Sequence, residues 1–596
     1  MYPNVGKRLK LDNMFTQEGK KLNRSSVLPE HPDPQCQREE FINLNGEWDF
    51  AIDQSQNPPV EYDSKILVPF AVETPLSGIE RRVGKNDHLH YRKIITMPEN
   101  YDGSPYLLHF GAVDQICHVY VNGMLIAHHE SGYTPFSGLV KNLMAGPNEL
   151  RVEVCDDTDS EIHPRGKQQN QNGGIWYTPT SGIWQTVWME KVPEEYITGF
   201  RLQPDFDRKS LLVHVNFAGQ IVSSSIEVFV DGNQVLGAYL NEKGNAVLDL
   251  SNAFHPWSPE DPFLYSLRIQ VNGDSVKSYF AMRKVSSMEV NGHQIFALND
   301  RPIFLSGVLD QGYYPDGGLT PPSDQAMIND IEFTKRLGFN MIRKHIKLEP
   351  KRWYYHCDRL GMLVIQDFVN GGSPYKKLFV NLRPFITWQE DDKLPDVQKT
   401  LGRGNPDSRK HFISEISETV NALINNPCIV IWNLFNEGWG QFDTVKCLDL
   451  LTILDSSRLV DANSGWFDQG VGDFCSYHIY FRKPRLKNDG KRILSLSEYG
   501  GYSCRLPDHA FSQKNFGYKT FKDLNSLSEA IAAMLENHIL PLIKVGLSVA
   551  VLTQLSDVEE ETNGLITYDR EVVKVDEKAI ASVNYRLVHA YDKEKR

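Results

Sequence analysis

The sequence predicts a multidomain chain: a jelly-roll β-sandwich, then an immunoglobulin-like β-sandwich, then a C-terminal (β/α)8 TIM barrel. Three observations predict it. Short alternating segments separated by turn residues fill the first half. After Met288 the pattern changes to buried, strand-like runs alternating with helical segments. The length of 596 residues at 41% hydrophobic content also exceeds what one core accommodates. The boundaries are placed at 1–192, 193–287 and 288–596.

In the first part the strand candidates are GEWDFAI, KILVPF, HYRKIITM, YLLHFGA, CHVYVNGMLIA, NELRVEVC and WQTVWME, with Asn122-Gly123 as a strong two-residue hairpin signal. Together they suit a jelly roll. The second part offers LLVHVNFAG, SIEVFVDGNQV, AVLDLS, LYSLRIQV and VKSYFAMRKV, with Asp231-Gly232 as another hairpin, as in a small immunoglobulin-like sandwich.

In the third part, IFLSGV is the first strand, followed by a helix capped at Ser323 and stopped at Gly338. FNMIRKH is the second strand, and its helix has Pro350 near the first turn and Gly361 as its stop. MLVIQDF, CIVIWNLFNE, LVDAN, SYHIYF, ILSLSE and LSVAVLTQL complete eight strands. A long insertion at 371–408 separates strands three and four; its Tyr375, Phe379, Phe385 and Trp388 suggest a packed lid or a contact between copies in a homo-oligomer.

A net charge of −13 leaves no broad footprint for nucleic acid or an anionic membrane, so neither is expected as a partner. No apolar run reaches the length of a membrane span, and the first residues lack the core of a secretory signal, so a cytoplasmic protein is expected. Eight scattered cysteines without a CxxC pair read as reduced thiols.

Strand C-termini of a (β/α)8 barrel share one rim, where residues distant in sequence meet. Glu437 and Glu498 close the apolar runs of strands four and seven. Two carboxyl groups there suggest glycoside hydrolysis, one protonating the leaving oxygen and the other attacking the anomeric carbon, at a separation of roughly 5 Å in a retaining enzyme. Trp432, Phe435 and Trp439 beside Glu437 predict an apolar wall that favours its protonated form, whereas hydroxyl donors around Glu498, Tyr480 among them, predict an ionised group. Arg343, Asp310, Gln311, Asp367, His478, Tyr480 and Gln554 also fall at strand ends and are candidate sugar contacts, with capping or ion pairing inside the barrel as the alternative for each. Trp439 and Trp466 are candidate stacking platforms, a core role being equally open to Trp466. His345 and His478 are too few for a convincing metal site, and no metal or cofactor is expected. The polar, Gly-rich loop at 161–180, with Arg165, Lys167 and Trp176, either reaches over the barrel mouth or stays solvated.

WNLFNEGWG around Glu437 and LSEYGG around Glu498 resemble the acid/base and nucleophile motifs of glycoside hydrolase family 2, which contains β-galactosidases, β-glucuronidases and β-mannosidases. LNGEWDF near Trp48, VYVNG near Asn122, SGYTPF near Tyr133 and SGIWQTVWME near Trp184 resemble that family's sugar-binding jelly roll. The resemblance implies Glu437 as acid/base, Glu498 as nucleophile, Asn436 as the residue holding the sugar 2-hydroxyl, and a carbohydrate or glycoside substrate. SGVLDQG and MIRKHIKLEP depart from the family's usual stretches after strands one and two, so Arg343 alone transfers there. The Asn-x-Lys pair by which β-glucuronidases meet a uronate is absent, since Asn563 is followed by Gly564 and Leu565, and Glu559, Glu560 and Glu561 would repel a uronate if close. A neutral sugar is therefore expected, and the resemblance implies a β-galactosidase, the family's commonest activity. The alternatives are a β-glucuronidase, β-mannosidase or α-L-arabinosidase, or a carbohydrate-binding protein without catalysis.

Overall fold

The computed structural model describes residues 14–375, 390–480 and 482–592. Phe379, Phe385 and Trp388 of the insertion lie outside them.

Alternating apolar positions build two sheets, of six and four strands, that face each other in the first part. Trp48, Phe50, Tyr91, Val119 and Val152 fill the space between them. The Asn122-Gly123 turn has both residues at positive φ and pairs Val121 with Met124, which is the two-residue hairpin read from the sequence. Sheets of three and four strands pack likewise in the second part, around Leu211, Val213, Ile226, Leu267 and Phe280. Asp231-Gly232 again forms the turn, here between Val230 and Asn233.

A short antiparallel ribbon follows, from Val285–Val290 through His293–Leu298, its first strand running across residues 287 and 288. Phe296 and Leu298 pack against Leu305, Met341 and Val549, so the ribbon covers the floor of the barrel.

The barrel strands are β1 (Leu305–Asp310), β2 (Met341–Lys344), β3 (Leu363–Asp367), β4 (Ile429–Asn433), β5 (Leu459–Asp461), β6 (Phe474–Ile479), β7 (Ile493–Gly500) and β8 (Leu547–Thr553). They form one parallel sheet in the order β5-β4-β3-β2-β1-β8-β7-β6. Its two ends meet where Asp473 N donates to Val460 O at 2.9 Å, which nearly closes the barrel. Helix α1 (Asp324–Arg336) starts at Ser323, whose Oγ accepts from Ala326 N, and stops before Gly338. Pro350 is the N-cap of α2 (Lys351–Leu360), which ends at Gly361 in the left-handed region.

All eight cysteines are free. No helix among the described residues is long and apolar enough to cross a membrane.

Candidate active site

β4 ends at Asn433, so Glu437 does not close that strand but stands four residues beyond it, in a turn. The turn is fixed by Glu437 N donating to Ser464 O at 2.9 Å, with Glu437 and Gly438 both at positive φ. That conformation is unfavourable for a residue with a Cβ and persists only where its surroundings impose it. It delivers the Glu437 carboxyl to the cavity at the barrel mouth. Glu498 arrives differently, on β7 itself, buried beside His478 of β6 in the parallel register.

Arg343, on β2, is the hub beneath the two acids. Its guanidinium holds Asp367 through two nitrogens at 3.0 Å each, donates to Glu498 Oε1 at 3.0 Å and to Ser497 O at 3.0 Å, and donates to Asn436 Oδ1 at 2.7 Å. Burial opposes its charge, but Asp367 and Glu498 outweigh burial and keep it protonated. Burial pushes the Glu498 carboxyl up; the charges of His478, Arg343 and His345 and the hydroxyl of Tyr480 oppose it and hold the group at about 2. Its Oε2 accepts from Tyr480, and Tyr480 is stacked on Tyr518 with ring centres 3.9 Å apart.

Glu437 meets one side chain through its Oε1, which lies 2.7 Å from His478 Nδ1, while His478 Nε2 is 3.0 Å from Ser464 Oγ. The aromatic wall expected around Glu437 is largely elsewhere. Trp432 donates to Asp455, and Phe435 packs between Phe412 and Phe442, leaving Trp439 as the aromatic neighbour that lines the cavity.

Lys167, Ile175, Leu309, Gln311, His345, Asn436, Glu437, Trp439, Tyr480, Glu498, Tyr518, Thr553 and Glu561 line this cavity. Its volume is about 20 Å³, the room of a single water, so a sugar ring enters only as side chains at the mouth turn aside. Four buried polar atoms on its wall have no hydrogen-bond partner: Asn436 Nδ2, Trp439 Nε1, Gln311 Oε1 and Thr553 Oγ1. Donors and acceptors left open on one wall are what a polyhydroxylated ligand would satisfy.

Of the candidate sugar contacts, Gln311, Asn436, Trp439 and Tyr480 line the cavity with the two acids. Asp310, Asp367, His478, Gln554, Trp466 and Arg343 do not. Asp310 pairs with Lys344, Asp367 with Arg343 and His345, and Gln554 links Gln311 to Asn563. Trp466 packs beside Leu401 and Phe467, behind His478. These residues hold the wall in place.

Residues not picked out as sugar contacts complete it. His345 lies two residues after Arg343, and burial brings its imidazole down to about 4 although Asp367 accepts from it at 2.8 Å. Thr553 and Tyr518 carried no motif. Lys167 and Ile175 come from the loop at 161–180, which is not a solvated loop: Pro164 bridges to Gly371, and Arg165 Nη1 donates to Gly372 O at 2.6 Å. Trp176 meets Trp439 with ring centres 5.2 Å apart.

One ligand-type atom each of Glu437, His478 and Glu498 lie within 4.8 Å of one another, a spacing that a metal would accept. The donor set fits poorly. Arg343 already sets a positive charge 3.0 Å from Glu498 Oε1, and both nitrogens of His478 are engaged by neighbours.

The chain is similar to known proteins. The family model "Glycosyl hydrolases family 2, TIM barrel domain" matches residues 288–500, and "Glycosyl hydrolases family 2" matches residues 196–283. The chain belongs to glycoside hydrolase family 2. A β-glucuronidase of Streptococcus agalactiae is 24% identical over 421 residues, covering 66% of this chain and 66% of that protein. A β-galactosidase of Thermoanaerobacter pseudethanolicus is 23% identical over 436 residues, covering 69% of this chain and 54% of that protein. The chain thus spans less than two thirds of the length of these curated relatives. The solved β-D-glucuronidase of Dictyoglomus thermophilum superposes with a TM-score of 0.71 at 18% identity, covering 94% of this chain and 98% of that one, a likeness of fold.

Proposed function

We propose that this chain is a retaining exo-β-glycosidase, with Glu498 as nucleophile and Glu437 as acid/base. The observation that carries the proposal is the pair of carboxyl groups whose nearest oxygens stand within 4.8 Å at the barrel mouth. That approach suits direct attack by one acid on the anomeric carbon.

The surroundings divide the roles. A nucleophile must be ionised, and the cation and hydroxyl around Glu498 favour that form. Glu437 Oε1 is engaged by His478, while its Oε2 makes no hydrogen bond among the described residues and is free to protonate a leaving oxygen. In the first step Glu498 bonds to the anomeric carbon as the glycosidic bond breaks and the aglycone oxygen takes the Glu437 proton. In the second, Glu437 removes a proton from water, the water oxygen bonds to the anomeric carbon, and Glu498 leaves. Asn436, with Oδ1 fixed by Arg343 and Nδ2 open, supports a role in holding a ring hydroxyl.

The test is turnover of a panel of p-nitrophenyl glycosides. Glu498→Ala should reduce kcat by at least about 10⁴-fold, and azide should restore turnover with an inverted glycosyl azide as product. An active Glu498→Ala protein, or one that azide does not rescue, would remove Glu498 from the mechanism.

A further inference from the structure

Lys167 is 7% exposed and reaches the pocket from the first sandwich. Its ammonium lies over the ring of Trp439 at 4.8 Å and that of Trp176 at 5.7 Å. Among the described residues it makes no hydrogen bond and no ion pair. Cation–π contact offsets part of the cost of burying an ammonium but leaves its N–H donors unmet.

No other cation of the described residues faces the cavity. The guanidinium of Arg343 is spent on Asp367, Glu498, Ser497 and Asn436, and burial keeps His345 neutral at pH 7. The acidic run expected to repel a uronate is mostly turned away. Glu559 accepts from Thr178 N at 2.7 Å and Asn172 Nδ2 at 2.8 Å, and Glu560 accepts from Gly174 N at 2.9 Å. Glu561 does line the pocket, with its Oε2 taken by the Tyr177 hydroxyl. Burial pushes its carboxyl up, toward the neutral form, with Lys167 opposing.

Resting on the glycosidase reading above, we infer that Lys167 is a specificity-determining residue that pairs with a carboxylate on the glycone, so that a hexuronide is the preferred substrate. The lysine missing from the barrel is supplied from the first domain. A carboxylate on the sugar would satisfy both the charge and the donors of Lys167, whereas a hydroxyl would satisfy only a donor.

The full chain and its Lys167→Met and Lys167→Arg variants are assayed on p-nitrophenyl β-D-glucuronide, β-D-galacturonide and β-D-galactoside. The readout is the ratio of kcat/KM for uronide over galactoside, which cancels differences in folded fraction. The wild type should prefer a uronide, Lys167→Met should lower the ratio about 100-fold, and Lys167→Arg should retain part of it. A wild type that prefers the galactoside, or a ratio that Lys167→Met does not move, overturns this inference and leaves the glycosidase reading standing. Turnover of no glycoside in the full panel overturns both.

Discussion

At the scale of single residues, the site is organised by one guanidinium. Arg343 is buried and holds the two carboxylates Asp367 and Glu498 at 3.0 Å each, with the imidazoles of His345 and His478 as their other basic neighbours. Removing one member of such a set leaves uncompensated buried charge, at a cost of about 3–5 kcal/mol. Arg343→Met should therefore lose about that much stability in urea unfolding at pH 7. The sign of the pH dependence follows from Glu498, whose carboxyl is held at about 2. A depressed carboxyl contributes stability in full above its unfolded value and loses it as pH falls through the folded one. The gap between wild type and Arg343→Met should thus narrow from about pH 5 toward pH 2. The same substitution should shift the acid limb of kcat/KM to higher pH, because Glu498 would then titrate nearer the ordinary carboxyl range. A gap independent of pH would mean that Arg343 acts only through packing.

At the scale of elements, the strands of the barrel are legible because most are buried on both faces and read as apolar runs, such as Ile429–Asn433 and Leu547–Thr553, without the alternation of a half-exposed strand. Helix caps are legible for an equally local reason, since Ser323, Gly338 and Gly361 act through their own backbone neighbourhood. The apolar pattern fails at CIVIWNLFNE, where Leu434 and Phe435 are as buried as the strand before them although the chain has already left the sheet. What turns it is the pair Glu437 and Gly438 at positive φ. Gly438 has φ +71° and an added Cβ would stand 2.4 Å from Phe467 Cδ2. Gly438→Ala should then cost about 1–3 kcal/mol and displace the Glu437 carboxyl. The displacement has its own signature. Turnover of alkyl glycosides, which need protonation of the leaving oxygen, should fall much further than turnover of p-nitrophenyl glycosides. Equal losses on both would show that the turn serves stability alone.

At the scale of the whole molecule, the pocket belongs to two domains, and that is what local reading misses. That Glu437 and Glu498 share one rim was legible because each motif lies within four residues of a barrel strand's end, but Lys167 meets Trp439 only after a sandwich has docked on a barrel. Buried charge joins the two sandwiches, and an ion pair to α2 joins the first of them to the barrel. Arg38 holds Glu190 of the first sandwich at 3.1 Å and Asp274 of the second at 2.8 Å, with its side chain 5% exposed. Lys351, at the start of α2, pairs with Asp33 at 2.6 Å. Burial pushes the Glu190 carboxyl up, but His109, His31 and Arg38 hold it well below the ordinary range, so this interface also weakens as pH falls. Arg38→Met leaves Glu190 and Asp274 facing each other's environment without their shared cation. If the interface couples the domains, the wild type should unfold in one calorimetric transition that coincides with loss of activity. Arg38→Met should separate that transition into two and release activity at the lower one, because loosening the first sandwich draws Lys167 and Ile175 out of the pocket. A variant that still unfolds in one step with unchanged midpoint would show that docking depends on apolar contact rather than on Arg38.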